Sequence, residues 1–193
     1  MARTTAGRDA RSELVVAAAE TFYRRGVTAT GVDAITRESG VSKPTLYSHF
    51  RSKHELVVAA LRWQHERRRE QLRAHLDGLD ERGADRVLAV FDWIARTAAD
   101  ADFRGCAFLN AAAELVDPAD EQARAVARQH KDWWREVFTG VVAEAGFAEP
   151  GALGEELLLL VDGAYARLAV EGTDRPVRVA RRMAEALMQA RQR

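Results

Sequence analysis

Apolar residues recur along this chain at the three- and four-residue spacing of a helix, and almost nowhere at the two-residue spacing of a strand. Leu14, Ala18 and Phe22, with Val15 beside them, draw one stripe along a helix expected over 9–25. Gly26 stands where a helix ends in a left-handed residue. Thr30 is placed to cap a second helix, with Asp33 three residues on as a capping-box partner, and Gly40 stops it. Ser42 caps a third, in which Pro44 is tolerated because a first turn needs no N–H from it. A fourth is expected from about 52 to 77, roughly 37 Å of rod at about 1.5 Å per residue. Beyond Gly78 the pattern predicts helices over 84–101, 106–116, 118–146, 150–171 and 176–191, with Pro118, Pro150 and Pro176 each in a first turn. Ala, Leu, Arg and Glu dominate throughout, residues that favour helix. The fold class is all-α, with about nine helices.

Two of these helices carry unusual faces. The one after Pro118 has a stripe of Val126, His130, Trp133/Trp134, Val137/Phe138 and Val141. Trp133 and Trp134 stand about 100° apart around the axis, so one faces the core and the other a cavity or interface. His130 lies on the apolar side, either as a satisfied core histidine or as a polar group in a pocket. Residues 157–161 are apolar on every side, and a helix hydrophobic all round is buried all round. Gly163, Ala164 and Ala166 follow and permit close approach of another helix. The last helix adds Val179, Ala180, Met183, Ala184 and Leu187. Either an intramolecular core or a second copy of the chain accounts for these surfaces.

Composition narrows the class. The 193 residues are 47% hydrophobic and 30% charged with 4 Pro, a globular balance. A single Cys excludes an internal disulfide framework and fits a reducing, cytoplasmic setting. No apolar stretch in the second half approaches a bilayer span, and the N-terminus does not read as a secretory signal, so no membrane is expected. Lys+Arg and Asp+Glu are 29 each. A net charge of zero gives no general reason to expect a polyanion partner. The distribution changes that picture. Residues 1–54 hold nine basic and five acidic side chains, a net +4, and 55–193 carry the opposing −4. The chain is therefore expected to divide into a smaller basic domain over 1–54 and a larger helical domain over 55–193. Arg3, Arg8 and Arg11 suit a basic arm. The run Arg67–Arg68–Arg69 with Arg73, interleaved with Glu66 and Glu70, reads as a charged outer face.

Residues 30–50 carry the chemistry. They read as a short helix, a turn with Gly40, and a second short helix, with Val32, Ile35, Val41, Leu46 and Phe50 as a small core. That is the shape of a helix-turn-helix, whose second helix enters the major groove. With the apolar positions turned inward, Ser42, Lys43, Thr45, Ser48 and His49 point outward as hydrogen-bonding groups for phosphates and base edges.

Residues 14–58, and above all the run Gly-Val-Ser-Lys-x-Thr-Leu-Tyr-x-His-Phe-x-x-Lys-x-x-Leu, closely resemble the DNA-binding domain of the tetracycline-repressor (TetR/AcrR) family. The likeness is close over about a quarter of the chain; the remainder is similar in length and helical character. The resemblance implies a homodimeric, ligand-responsive regulator, a repressor in the usual case, on a near-palindromic double-stranded operator. Thr30 and the N–H groups behind it would meet phosphate, Lys43 and Thr45 base edges, Tyr47 and His49 the backbone, and Lys53 another phosphate. Thr36 and Ser39 depart from the family, standing where it usually has Ala. Residues 104–115 resemble a stretch of some AcrR-like regulators. The last two helices would pair with those of a second subunit, with Leu157, Leu160, Val161, Ala164, Met183 and Leu187 as the expected contacts.

Phe103, Cys106, Asn110, Glu114, His130, Trp133, Trp134 and Tyr165 are the candidate contacts for a small apolar or aromatic effector, although core packing uses the same residue types. No catalytic set is legible. His49, His54, His65, His75 and His130 show no metal spacing, Cys106 has no resolving partner in the chain, and no Gly-rich phosphate loop occurs. Neither a cofactor nor a metal nor an enzymatic activity is expected.

Overall fold

The computed structural model describes residues 9–100 and 102–191. Among them are nine α-helices, one 3-10 turn and no strand. Arg3 and Arg8 of the basic arm lie outside the described residues. The helices are α1 (Ala10–Arg25), α2 (Val32–Ser39), α3 (Lys43–His49), α4 (Lys53–Asp77), α5 (Gly83–Ala98), α6 (Ala107–Glu114), α7 (Glu121–Glu144), α8 (Pro150–Glu171) and α9 (Arg175–Arg191). The 3-10 turn Pro118–Asp120 opens α7, so the expected helix from Pro118 begins three residues late in α-helical form. The chain forms two compact units, one holding residues through Arg67 together with Ala107–Ala127, the other Arg68–Cys106 and the chain from Arg128 on.

In the first unit, α1 presents Leu14, Ala18 and Phe22 inward, all buried, as the stripe requires. Asp9 caps α1 by accepting the Ser12 N–H at 2.7 Å. Gly26 ends it at φ 87°, ψ 154°, a positive φ but not the left-handed helical region expected. Gly40 does adopt that region, φ 70°, ψ 5°, and turns the chain from α2 into α3. Ile35, Leu46 and Phe50 are buried against α1, whereas Val32 and Val41 are half-buried. Each fully buried aliphatic or aromatic side chain here contributes on the order of 1.5–3 kcal/mol. Ser52 accepts the Glu55 N–H at 3.2 Å, and Glu55 reaches back to accept the Arg51 N–H at 2.8 Å, fixing the start of α4.

In the second unit, α5, α8 and α9 pack around a core that includes Phe91, Ile94, Leu153, Leu157, Val161 and Ala184. Trp134 of α7 stacks on Phe138 with ring centres 5.6 Å apart and meets Trp93 of α5 at 6.2 Å. Gly154 lets α8 approach α7, since a Cβ there would stand 2.7 Å from the Thr139 hydroxyl. Arg181 Nε binds Asp92 at 2.6 Å, tying α9 to α5, and Lys131 pairs with Asp162 to tie α7 to α8.

Burial of 157–161 is incomplete within one chain, so the chain's own core does not by itself account for this apolar stretch. Leu157, Leu158 and Val161 are buried, Leu160 is half-buried, and Leu159 is 63% exposed. The packed neighbours cover one side of α8 and leave the other to solvent.

Candidate nucleic-acid interface

The third helix is built to dock by one face and offer the other. Ser42 is its N-cap: the hydroxyl accepts the Thr45 N–H at 3.3 Å and lies 2.7 Å from the Thr45 hydroxyl. Leu46 is the buried anchor and Phe50, just beyond the last turn, is the second. The helical period then leaves Lys43, Tyr47, Ser48 and His49 exposed and Thr45 half-buried. Tyr47 keeps 49% of its surface in solvent, a large aromatic ring left outside the core. Arg11 of α1 lays its guanidinium over Phe50, 5.2 Å from the ring centre.

The polar groups are already engaged with one another. Lys43 Nζ stands 2.8 Å from Asp33 Oδ1 in the first turn of α2. The hydrogen bond to Asp33, reinforced by its charge, holds the Lys43 pKa above the ordinary lysine value. Sequence patterning gave Asp33 a capping role and did not find this pairing. Lys53, the first residue of α4, is half-buried; burial lowers its pKa, opposed in part by the Glu114 and Asp120 carboxylates.

Capping of α2 departs from the expectation. Its N-cap is Gly31, which has no side chain to offer, and Thr30 is buried. The Thr30 hydroxyl donates to the Gly26 carbonyl at 2.6 Å, and its N–H to the Val27 carbonyl at 3.3 Å, so the preceding turn consumes both. Thr36 and Ser39 fit their half-buried sites because their hydroxyls are satisfied. Thr36 donates to the Asp33 carbonyl, while Ser39 donates to the Thr36 carbonyl and accepts the Val41 N–H.

The candidate effector residues divide between the two units. In the second unit, the Phe103 and Tyr165 rings lie 5.4 Å apart and Cys106 is buried. Trp134 Nε1–H donates to His130 Nε2 at 3.1 Å, and Trp133 stacks near both, 5.3 Å from His130 and 4.8 Å from Trp134. Trp134 is the core member of that pair and Trp133 the half-buried one. Asn110 and Glu114 belong to the first unit. There the Glu114 carboxylate accepts the Thr28 N–H at 2.8 Å. A cleft of about 380 Å³ also opens in the first unit, lined in part by His54, Glu55, Asp120 and Gln122, with His54 Nδ1 2.7 Å from Asp120 Oδ1.

Of the expected dimer contacts, Leu157, Val161 and Ala164 are buried inside the protomer, Leu160 and Leu187 are half-buried and Met183 is 52% exposed. Leu159 and Val170, the latter 86% exposed, extend the uncovered apolar face of α8. No helix among the described residues is long and apolar enough to cross a membrane, and none of their His, Cys, Asp or Glu groups is arranged to hold a metal.

A short capped helix, held by two apolar anchors after a left-handed glycine turn and presenting a polar face, defines a helix-turn-helix protein. The sequence pattern of the bacterial regulatory proteins of the tetR family matches residues 14–60. The HTH-type transcriptional activator FasR of Mycolicibacterium smegmatis is 53% identical over 51 residues, 26% of this chain but only 23% of FasR. YxaF of Bacillus subtilis, an HTH-type transcriptional regulator, is 30% identical over 164 residues, covering 80% of this chain and 82% of YxaF. The crystal structure of SCO4454, a TetR-family transcriptional regulator from Streptomyces coelicolor, superposes with a TM-score of 0.82 at 31% identity, over 95% of this chain and 96% of that one. The chain belongs to the TetR family of transcriptional regulators.

Proposed function

We propose that this chain is a homodimeric, sequence-specific repressor that a small molecule releases from its operator. The observation that carries it is the polar face of α3, with Lys43, Tyr47 and His49 exposed and Thr45 half-buried on an anchored helix whose N-cap is Ser42. Residues 1–54 form the reading domain, and their net +4 suits a phosphate surface. Lys43 and Thr45 address base edges in the major groove; Tyr47, His49, Lys53 and the uncapped N–H groups of α2 behind Thr30 address phosphates.

Residues 55–193 sense and dimerise in this proposal. The exposed apolar positions Leu159, Val170 and Met183 on two helices packed together support a second copy as their cover. Two α3 helices on a two-fold axis then meet half-sites about 34–36 Å apart on a near-palindromic duplex. The aromatic groups around Phe103–Tyr165 and His130–Trp133–Trp134 suit an apolar or aromatic effector. Such an effector acts only through different affinity for the DNA-competent and released states.

The test is binding, at several salt concentrations, to duplexes selected from a random pool and to the DNA flanking the chain's own gene. A selected site bound at least about a thousandfold tighter than random duplex is expected. Uniform affinity for all sequences would overturn the proposal. A reporter placed behind the selected site then gives the sign of regulation, with loss of expression expected.

A further inference from the structure

Glu114 closes α6, 86 residues away from Thr28, yet the two meet inside the first unit. Glu114 Oε2 accepts the Thr28 N–H at 2.8 Å. Thr28 lies in the α1–α2 turn, whose internal bonds run from the Thr30 N–H and hydroxyl to Val27 and Gly26. The turn is shaped around the carboxylate. A Cβ on Gly26 would stand 3.0 Å from both Glu114 oxygens, so this glycine supplies a positive φ and also the room Glu114 occupies. The same carboxylate acts on the ammonium of Lys53 in the first turn of α4. One side chain therefore faces the segment that enters the α2–α3 pair and the helix that leaves it.

We propose that Glu114 is a positioning residue for DNA reading. It holds the α1–α2 turn, and through that turn the N-terminus of α2 and the seat of α3, in the arrangement that meets the operator. The proposal rests on the DNA-binding function put forward above. A carboxylate accepting a backbone N–H makes a charge-assisted bond, stronger than one between neutral groups. It reaches from another helix, so it constrains the turn in a way the turn's own bonds do not.

A simpler account makes Glu114 one more negative charge near a surface that binds a polyanion. The two accounts differ in sign. Removing a negative charge strengthens binding to DNA through phosphate electrostatics. Removing the acceptor while the turn depends on it weakens binding to the correct sequence. Glu114→Gln keeps a carbonyl acceptor at the same reach and drops the charge. Glu114→Ala drops both. Glu114→Asp keeps the charge and withdraws the acceptor by one methylene.

The experiment compares the three variants in the full chain, on a duplex that the unmodified protein selects and on random duplex, at one salt concentration. Glu114→Gln is expected to match or exceed the unmodified protein on the selected duplex. Glu114→Ala is expected to lose about tenfold there, the scale of one hydrogen bond to a charged group, with random duplex unchanged or tighter. Glu114→Asp keeps the charge, so its loss on the selected duplex carries the test if the Ala variant does not fold. Amide exchange at Thr28 should quicken in Ala and Asp and not in Gln. Equal losses in Gln and Ala, equal losses on both duplexes, or no loss in Ala and Asp would each overturn the proposal. Failure of the unmodified protein to select any duplex strikes the DNA-binding function instead, and is read before any variant is made.

Discussion

The Lys43 ammonium stands 2.8 Å from the Asp33 carboxylate, a bridge from the first residue of α3 to the first turn of α2. The pair is well exposed on both sides, so it is not a fold-holding contact. Its consequence lies in what Lys43 is allowed to touch. Asp33 holds the ammonium against the helix pair and adds a negative charge to the face proposed to meet DNA.

Asp33→Asn should therefore loosen discrimination. Binding to random duplex is expected to rise about threefold to tenfold at low salt and to converge on the unmodified protein at high salt, because the gain is electrostatic. Melting temperature should not move. Fluorescence anisotropy against a salt series checks this, and unchanged affinity for random duplex would show that Asp33 does not restrain Lys43.

Tyr47 offers the cleanest separation of DNA contact from stability. Half its surface is already in water, so truncation opens no cavity in the core. Tyr47→Ala is expected to weaken operator binding about tenfold or more while the oligomeric state and melting temperature hold. Loss of the dimer in this variant would contradict the division between reading and dimerising domains.

Leu159 tests the other end of the chain. It is 63% exposed in the protomer, and a charge placed there meets only solvent unless a second copy covers it. Leu159→Asp should leave helix content unchanged, shift sedimentation to the monomer, and reduce operator affinity by about a hundredfold or more, since a monomer engages one half-site. A variant that sediments as the unmodified protein would place the interface elsewhere.

These residues also mark where sequence was sufficient. Four of the helices were legible because they have their own punctuation: Gly40 after α2, Ser42 before α3, and prolines in the first turns of α8 and α9. The anchors Leu46 and Phe50 were legible because a helix of seven residues has room for few apolar positions. Pairings between distant segments were not legible. The Glu114–Thr28 bond joins a side chain to a backbone N–H, and a backbone group carries no sequence signature. Thr30 is not legible as cap or turn residue, because the same hydroxyl serves equally well in either, and only the chain path between Gly26 and Gly31 decides which. The exposure of Leu159 was not legible, because composition counts apolar residues without knowing how many neighbours one chain supplies.

The His130–Trp134 pair yields the most discriminating prediction. Trp134 Nε1–H donates to His130 Nε2 at 3.1 Å, with both side chains almost wholly removed from water. A donor to Nε2 requires the proton on Nδ1, so the bond fixes the neutral tautomer of the ring. His130→Phe keeps a ring in place and leaves the indole N–H without its acceptor, at an expected cost of about 1–3 kcal/mol. Trp134→Phe removes the donor and also shrinks the stack on Phe138 and Trp93, so it costs more, about 2–4 kcal/mol. The double variant should cost less than the sum of the two, because neither polar group is then left behind. Urea unfolding of all four proteins at one protomer concentration measures the difference. Strict additivity would mean that the two side chains share a core without sharing a bond. If the aromatic wall they form also receives the effector, His130→Phe alters the effector concentration needed for operator release, whereas Leu159→Asp, at a solvent-exposed position of α8, leaves effector binding to the monomer intact.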